Sequence, residues 1–397
     1  MEKNLMKTYD KLIVYFILLA IFSLFIEVKI YIPIFILITF MCLPYFKNVN
    51  KWKVYLFFFL IYGLALNIFY INNFDINLYI KFIVNLSFLL IVPSFLERLP
   101  ENPEIKDKLK IYLELIIILS SIQIIYVYVV QNIPFTYFLN IQSSIDAYAI
   151  TRNVEPIFGH SNKNIWASKL FLIQLIYVYF ILNGKIKIRE FLMLFLSISN
   201  IVLLLSRTAQ IAMVIPLVYI FYKKIFSRNS YIRFFSLFLV PLLLIGLIGL
   251  VTDVILRVGD PSEDGGASRI ALWKAFFENF NQTNYLVGNG LYSSYQFLME
   301  YVPHLVNTNM HNFIINIAME TGILGVTIYI LFFVFLFKSF LLNLGEYKVE
   351  FLLVFIVPVV IILSLQYLGY DNDIVLYFAL LFLIKNFYMK DLEKNRE

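Results

Sequence analysis

Three residues have types and positions that suit the transfer of a group away from a phosphate. Arg207 lies at the junction of two apolar runs, Arg269 lies in DGGASRIALW, and His311 opens HNFIINIAMETGILG. A guanidinium can bind two phosphate oxygens at once, and histidine is well suited to accept a proton near neutral pH. The arginines would stabilise the charge on a departing diphosphate, and the histidine would deprotonate the attacking hydroxyl.

A structural role is open for each of the three residues. Arg207 is flanked by apolar runs, where an arginine is costly and usually functional or paired, but it could also extend to lipid headgroups. Arg269 could be an ordinary solvated arginine. A single histidine at the start of a helix, such as His311, is often structural.

The surroundings of Arg269 predict a surface helix. Residues 264–266 indicate a turn, and Ser268 suits the N-cap of a helix that runs to Phe280. Arg269 would then lie in the first turn, where the helix dipole disfavours a cation and an anionic partner would compensate. The apolar residues of this helix recur at helical spacing: Ile270, Trp273, Phe276, Phe277 and Phe280.

The helix predicted after His311 carries a polar stripe, because Asn312, Asn316 and Glu320 recur every four residues. Weaker candidates for substrate binding lie in the polar segments of the chain: Arg152, His160, Asn164, Arg257, His304 and Asn312. The amide of Asn164 could donate to a sugar hydroxyl, or it could cap the helix that starts nearby.

The sequence contains no cofactor or metal motif. Asp260, Glu263 and Asp264 are more typical of a solvated loop than of a cation site. The only cysteine, Cys42, excludes an intramolecular disulfide and a cysteine metal cluster. Zinc-protease, serine-hydrolase, P-loop and dinucleotide-binding motifs are absent. We therefore expect neither a metal nor a cofactor.

The elements that must position these residues are apolar helices. The chain has 397 residues, 61% hydrophobic and 15% charged, whereas soluble domains are about half apolar and about a quarter charged. This composition predicts an all-α polytopic membrane protein with about twelve transmembrane helices. The run at 312–337 is long enough for a short surface helix before the span. The apolar runs lie near 12–28, 30–46, 53–71, 78–95, 110–131, 165–182, 190–206, 208–222, 234–251, 312–337, 350–368 and 373–387.

The distribution of lysine and arginine predicts the topology. With the N-terminus inside, 23 of the 32 Lys and Arg residues fall on cytoplasmic segments, as the positive-inside rule requires. The net charge of +6 therefore reflects topology and does not indicate nucleic-acid binding. We expect one integral-membrane domain over 1–397 with a retained first span and both termini in the cytoplasm. Its first outer loop would be 132–164 and its main outer loop 252–311.

The segment HNFIINIAMETGILG (311–325) resembles the H-N-x-x-[LI]…E-x-G-[IL]-x-G signature of the O-antigen ligase and O-antigen (Wzy-type) polymerase superfamily. Four other segments fit this family in order: FGHSNKNIWASKL (158–170), SRTAQIAM (206–213), SRIALWKAFFENF (268–280) and VGNGLYSSY (287–295). The resemblance therefore spans residues 150–325.

The resemblance implies a glycosyltransferase of the bacterial inner membrane with its active site facing the periplasm. Donor and acceptor would be oligosaccharides on undecaprenyl diphosphate, transferred with inversion and without a metal or nucleotide sugar. Arg207 and Arg269 would grip the donor diphosphate, and His311 would be the base or position the acceptor. Three weaker matches would lie around them: Arg152, His160 and Asn164. Other implied partners are the lipid bilayer, a polysaccharide chain-length regulator and a flippase, and no nucleic acid is expected.

Two enzymes and two other protein classes fit these features to different degrees. A polymerase would transfer the growing chain to the next lipid-linked repeat unit, and a ligase would transfer the finished glycan to lipid A core. The Phe- and Ile-rich composition and the two long outer loops favour the polymerase. A lipid-linked oligosaccharide flippase would show internal repeats and charges near the bilayer midplane, which are not evident here. A structural membrane protein would leave the arginines and histidine unexplained.

Overall fold

Every regular element in the described part of the protein is helical, which confirms the all-α class. The computed structural model describes residues 8–26, 29–47, 49–70, 76–99, 103–139, 151, 156–184, 187–225, 265–291, 293–305 and 309–394. The helices in these ranges are α1 (Thr8–Ser23), α2 (Tyr31–Cys42), α3 (Lys51–Phe69), α4 (Ile76–Leu96), α5 (Pro103–Val130), α6 (Lys163–Asn183), α7 (Ile188–Leu203), α8 (Arg207–Ile225), α9 (Gly265–Asn279), α10 (Ser294–Tyr301), α11 (Phe313–Leu341), α12 (Lys348–Phe351), α13 (Val357–Leu365) and α14 (Asn372–Lys394). A π-helical turn, Leu352–Ile356, joins α12 to α13.

The predicted apolar runs coincide with these helices, except for the run near 234–251, which lies outside the described residues. Among the described residues, seven helical segments are long and apolar enough to cross a membrane: α3, α4, α5, α6, α11, the segment 345–365 and α14. The polytopic membrane architecture is therefore confirmed, whereas the number of twelve spans stays a prediction.

Helix α6 is the central helix of the bundle. Nearly all of its residues are buried, and it packs against α5, α7, α8 and α14. An α-helix that is apolar on every side is stable only when it is surrounded, and the sequence of α6 has this character. Packing on all sides therefore fixes the position of the first residues of α6 relative to the neighbouring helices.

Helix α11 is interrupted at Gly322, where φ is +64°. The loop 285–290 crosses this break and satisfies its backbone groups, because Ile323 N–H donates to Tyr285 O at 2.9 Å and Gly290 N–H donates to Glu320 O at 3.0 Å. Unsatisfied backbone groups are costly inside a membrane protein. The break divides α11 into two helical parts, so a short helix does precede the span as predicted, but its residues are mostly buried and it is not a surface helix. The two glycines of the run, Gly322 and Gly325, allow a kinked helix whose first part carries the polar stripe.

Helix α9 differs from its prediction in its start and in part of its buried face. It begins at Gly265, so Ser268 lies inside the helix and is not its N-cap, and Arg269 follows the first turn. Leu272 and Phe276 are buried, whereas Ile270 is 59% exposed. These buried residues pack with α10 and the beginning of α11 in a small second core, and Trp273 and Phe280 pack against it. The predicted apolar face is therefore confirmed for Trp273, Phe276 and Phe280, whereas Ile270 and Phe277 are exposed.

Candidate functional site

Five hydrogen bonds join five helices in a closed circuit, which we call the polar ring. Lys163 Nζ donates to Leu205 O at 3.0 Å, Arg269 Nη1 to Thr208 Oγ1 at 3.4 Å, Trp273 Nε1 to Met310 O at 2.8 Å, Asn312 Nδ2 to Ser364 O at 3.1 Å, and Ser168 Oγ to Gln366 Oε1 at 3.0 Å. The circuit passes through α6, α8, α9, α11 and α13 and returns to α6. Helices α6, α8 and α11 begin at the ring, and the beginning of a helix carries partial positive charge that favours anions.

Arg207 is the first residue of α8 and follows the tight connection from α7. Leu205, in this connection, has a left-handed backbone with φ +54°. A leucine rarely adopts this conformation, and such strain persists only where the surroundings impose it. Here the carbonyl of Leu205 accepts the hydrogen bond from Lys163. The connection therefore fixes the position at which Arg207 enters the ring.

Arg269 interacts with both the start of α8 and His311. Its guanidinium donates to Thr208, the residue after Arg207, and its positive charge acts on the imidazole of His311. Burial of the imidazole and the positive charge of Arg269 together lower the pKa of His311 to about 3. His311 is therefore neutral at physiological pH and able to accept a proton or a hydrogen bond. An anion bound beside Arg269 would oppose that charge and raise the pKa of His311.

The backbone around His311 is held by the polar stripe of α11. His311 has φ +51°, and its N–H donates to the side chain of Asn309 at 2.9 Å. Asn316 accepts from Met310 N–H at 3.4 Å and donates to the carboxylate of Glu320 at 2.7 Å. Glu320 is fully buried. The predicted stripe therefore exists, and it points inward to support the turn that carries His311.

The structure brings together the three main candidates, Arg207, Arg269 and His311, and it gives the weaker candidates different settings. His160 Nδ1 accepts from Asn162 N–H at 2.9 Å in the turn before α6. Asn164 follows Lys163 in the first turn of α6 and is partly exposed. A substrate-binding role for either residue stays a prediction.

Two further candidates have settings that bear on their roles, and two lie where the structure is not described. Asn312 caps α11, because its side chain accepts from Ile314 N–H and Ile315 N–H, in addition to its bond in the ring. His304 is exposed in the turn Pro303–Leu305, outside the ring. Arg152 and Arg257 lie outside the described residues.

Lys163 is the ring residue that reasoning from the sequence missed. Its side chain is 6% exposed, and Arg207 and Arg269 both act on it electrostatically. The available signal was its position on the outer side of the predicted topology, at the start of an apolar run. Three basic side chains and a neutral imidazole, beside the beginnings of α6, α8 and α11, form a site suited to a polyanion and to a nearby proton transfer.

The family comparison agrees with this geometry. Residues 192–330 match the family model described as O-antigen ligase. Over this segment, the chain is similar to the O-antigen ligase family, which supports the O-antigen ligase and polymerase superfamily. The matched segment contains Arg207, Arg269 and His311, and Lys163 lies before it. The resemblance based on the histidine motif is thereby confirmed, as is ligase- or polymerase-type function at the level of the superfamily. No curated protein matched the chain.

Within the described ranges, His, Cys, Asp and Glu side chains do not gather into a set that could hold a metal ion. The expectation that the protein acts without a metal or cofactor rests on the sequence and the family resemblance, and it stays a prediction.

Proposed function

We propose that this membrane protein polymerises oligosaccharide repeat units carried on undecaprenyl diphosphate, at the outer face of the inner membrane. The observation that carries the proposal is the meeting of Arg207, Arg269 and His311, which come from three separate segments, at one ring of helix ends. The arginines would bind the donor diphosphate with paired charge-assisted hydrogen bonds. The imidazole would face the hydroxyl of the acceptor sugar.

The reaction is a displacement at the anomeric carbon of the donor sugar. The acceptor oxygen forms a bond to this carbon, and the bond between the carbon and the diphosphate oxygen breaks with its electron pair on the diphosphate. The proton of the acceptor hydroxyl passes to His311. Arg207 and Arg269 stabilise the charge that develops on the leaving group, which is where fixed cations accelerate a reaction most.

Single replacement of Arg207, Arg269 or His311 by alanine tests the enzymatic role. We expect each variant to reduce the rate of glycan transfer by about 100-fold or more, the usual effect of removing one fixed charge-stabilising donor. The rate is measured as glycan transfer by the purified protein, and polysaccharide length in cells gives the effect in vivo. Lys274→Ala is the matched control, because Lys274 is an exposed cation on the same helix as Arg269. Wild-type chain length in all three variants would reject the enzymatic role.

The acceptor separates a polymerase from a ligase. A polymerase uses the lipid-linked repeat unit as both donor and acceptor, so the purified protein should produce a ladder of products from this one substrate. The family description, O-antigen ligase, supports transfer to lipid A core as the second candidate. Products that form only after lipid A core is added would establish the ligase and reject the polymerase.

A further inference from the structure

We propose that Lys163 is a positioning residue that holds Arg207 in place to bind the diphosphate of the substrate. The proposal rests on the proposed function for the nature of the anion. It concerns a residue to which the sequence analysis gave no role, and which lies outside the matched family segment because the match begins at residue 192.

The hydrogen bond from Lys163 reaches the connection that determines where Arg207 lies. Lys163 is the first residue of α6, the most enclosed helix of the bundle. Its ammonium donates at 3.0 Å to the carbonyl of Leu205, whose backbone is in the left-handed region. Arg207 begins α8 two residues later. A rigid helix is thus tied by a charged donor to a strained turn, and the turn presents the arginine.

A second cation holds the other side of Arg207. Arg269 donates to Thr208 at 3.4 Å, so Lys163 and Arg269 contact the residues that flank Arg207 from opposite directions along the chain. The side chain of Lys163 is 6% exposed, and that of Thr208 is 2% exposed. The close approach of three basic side chains is electrostatically unfavourable, and a bound polyanion would offset this repulsion.

Another lysine of α6 provides a matched control. Lys169 is 8% exposed, and its ammonium donates to a backbone carbonyl, Leu24 O, at 2.7 Å. Its bond is of the same type and lies in the same helix, but it joins α6 to the end of α1 and not to the ring. Loss of a buried lysine therefore affects folding in both variants, whereas loss of anion binding is expected only for Lys163.

The test measures binding of a prenyl diphosphate to protein in lipid nanodiscs, with Lys163→Met, Lys163→Arg and Lys169→Met compared. Loss of Lys163 should weaken binding between about 10-fold and 100-fold, the range expected when a charged hydrogen bond is removed. The arginine variant should recover part of this loss because it keeps the charge and a donor. Lys169→Met should bind as the wild type does. Thermal unfolding in the same nanodiscs identifies variants that do not fold.

A double variant distinguishes positioning from an independent contact. If Lys163 acts through Arg207, Lys163→Met should weaken binding much less in an Arg207→Ala background than in the wild type. Equal weakening in both backgrounds would overturn the positioning role, as would unchanged binding by Lys163→Met or an equal loss in Lys169→Met.

The binding assay needs no glycan, so it separates this proposal from the proposed function. Lys163-dependent binding without any glycan transfer would support the inference and reject the polymerase and ligase. Glycan transfer together with binding that does not depend on Lys163 would support the proposed function and reject the positioning role of Lys163.

Discussion

The protonation state of His311 depends on the charge next to it. In the unliganded protein, burial and Arg269 keep the pKa of His311 at about 3, so the imidazole is neutral but weakly basic. A diphosphate bound by Arg269 would reverse the electrostatic effect and make the imidazole a stronger base. The base would then become effective only after the donor is bound. This coupling follows from placing an arginine and the histidine at the same ring.

The low pKa of His311 predicts how stability changes with pH. The folded protein binds fewer protons at His311 than the unfolded chain does between the folded pKa of about 3 and the unfolded value of about 6.5. The stabilisation is therefore complete above the unfolded value and is lost as the pH falls toward the folded value. Thermal unfolding of the wild type and of His311→Gln in detergent, from neutral to acidic pH, measures this loss of stability. The wild type should lose more stability on acidification, and parallel losses would show that the pKa is not lowered.

At the scale of elements, the site depends on how α11 is broken. The first part of α11 carries the stripe that supports His311, and the second part is the longer apolar segment. The break at Gly322 is closed by loop 285–290, where Gly288 lies against the backbone of Glu320 and Thr321. Because both glycines have positive φ and little space, the loop and the helix can approach only if neither residue has a side chain.

Replacing Gly322 by alanine should destabilise the protein. The new Cβ would lie 2.4 Å from Leu286 O, at a residue with φ +64°, and backbone strain alone costs about 1–3 kcal/mol. Thermal unfolding in detergent gives the loss. Gly345→Ala is the control, because Gly345 also has positive φ (+52°) but its nearest neighbour would be 3.6 Å away. Equal losses in the two variants would mean that the close contact with loop 285–290 has no energetic weight.

At the scale of the whole molecule, the polar ring must face the compartment that contains the substrate. The charge distribution of the sequence predicts that α6, α8 and α11 begin on the outer side. The polar ring lies at one end of the helix bundle, so the orientation of the bundle in the membrane decides which compartment the ring faces. A single experiment on orientation therefore tests the proposed location of the reaction.

Labelling of single cysteines should show this orientation. The only native cysteine, Cys42, is buried and can be replaced by serine. His304→Cys, in the turn Pro303–Leu305, should react with an impermeant maleimide in spheroplasts. Glu346→Cys, in the exposed turn Gly345–Tyr347, should react only after the membrane is opened. The reverse pattern would place the ring in the cytoplasm and contradict the proposed site of polymerisation.

Much of the fold could be predicted from the sequence because spans are determined by local composition. The apolar runs correspond to helices from α1 to α14 wherever both are described. The start of α9 was harder to predict, because Ser268 is a good N-cap but the chain is already helical from Gly265. Its buried face was predicted in part: Phe276 is buried as expected, but packing against α10 and α11 also buries Leu272 and leaves Ile270 exposed.

The sequence by itself determined the class of the protein, the positions of its helices and the three residues whose chemistry suits a phosphate. Hydropathy and side-chain chemistry are properties of short segments, so they can be read without the fold. Only the tertiary structure decided that Arg207, Arg269 and His311 meet, and that Lys163 joins them. Such contacts depend on which helix ends pack together, and the apolar sequences of the helices carry little information about this choice.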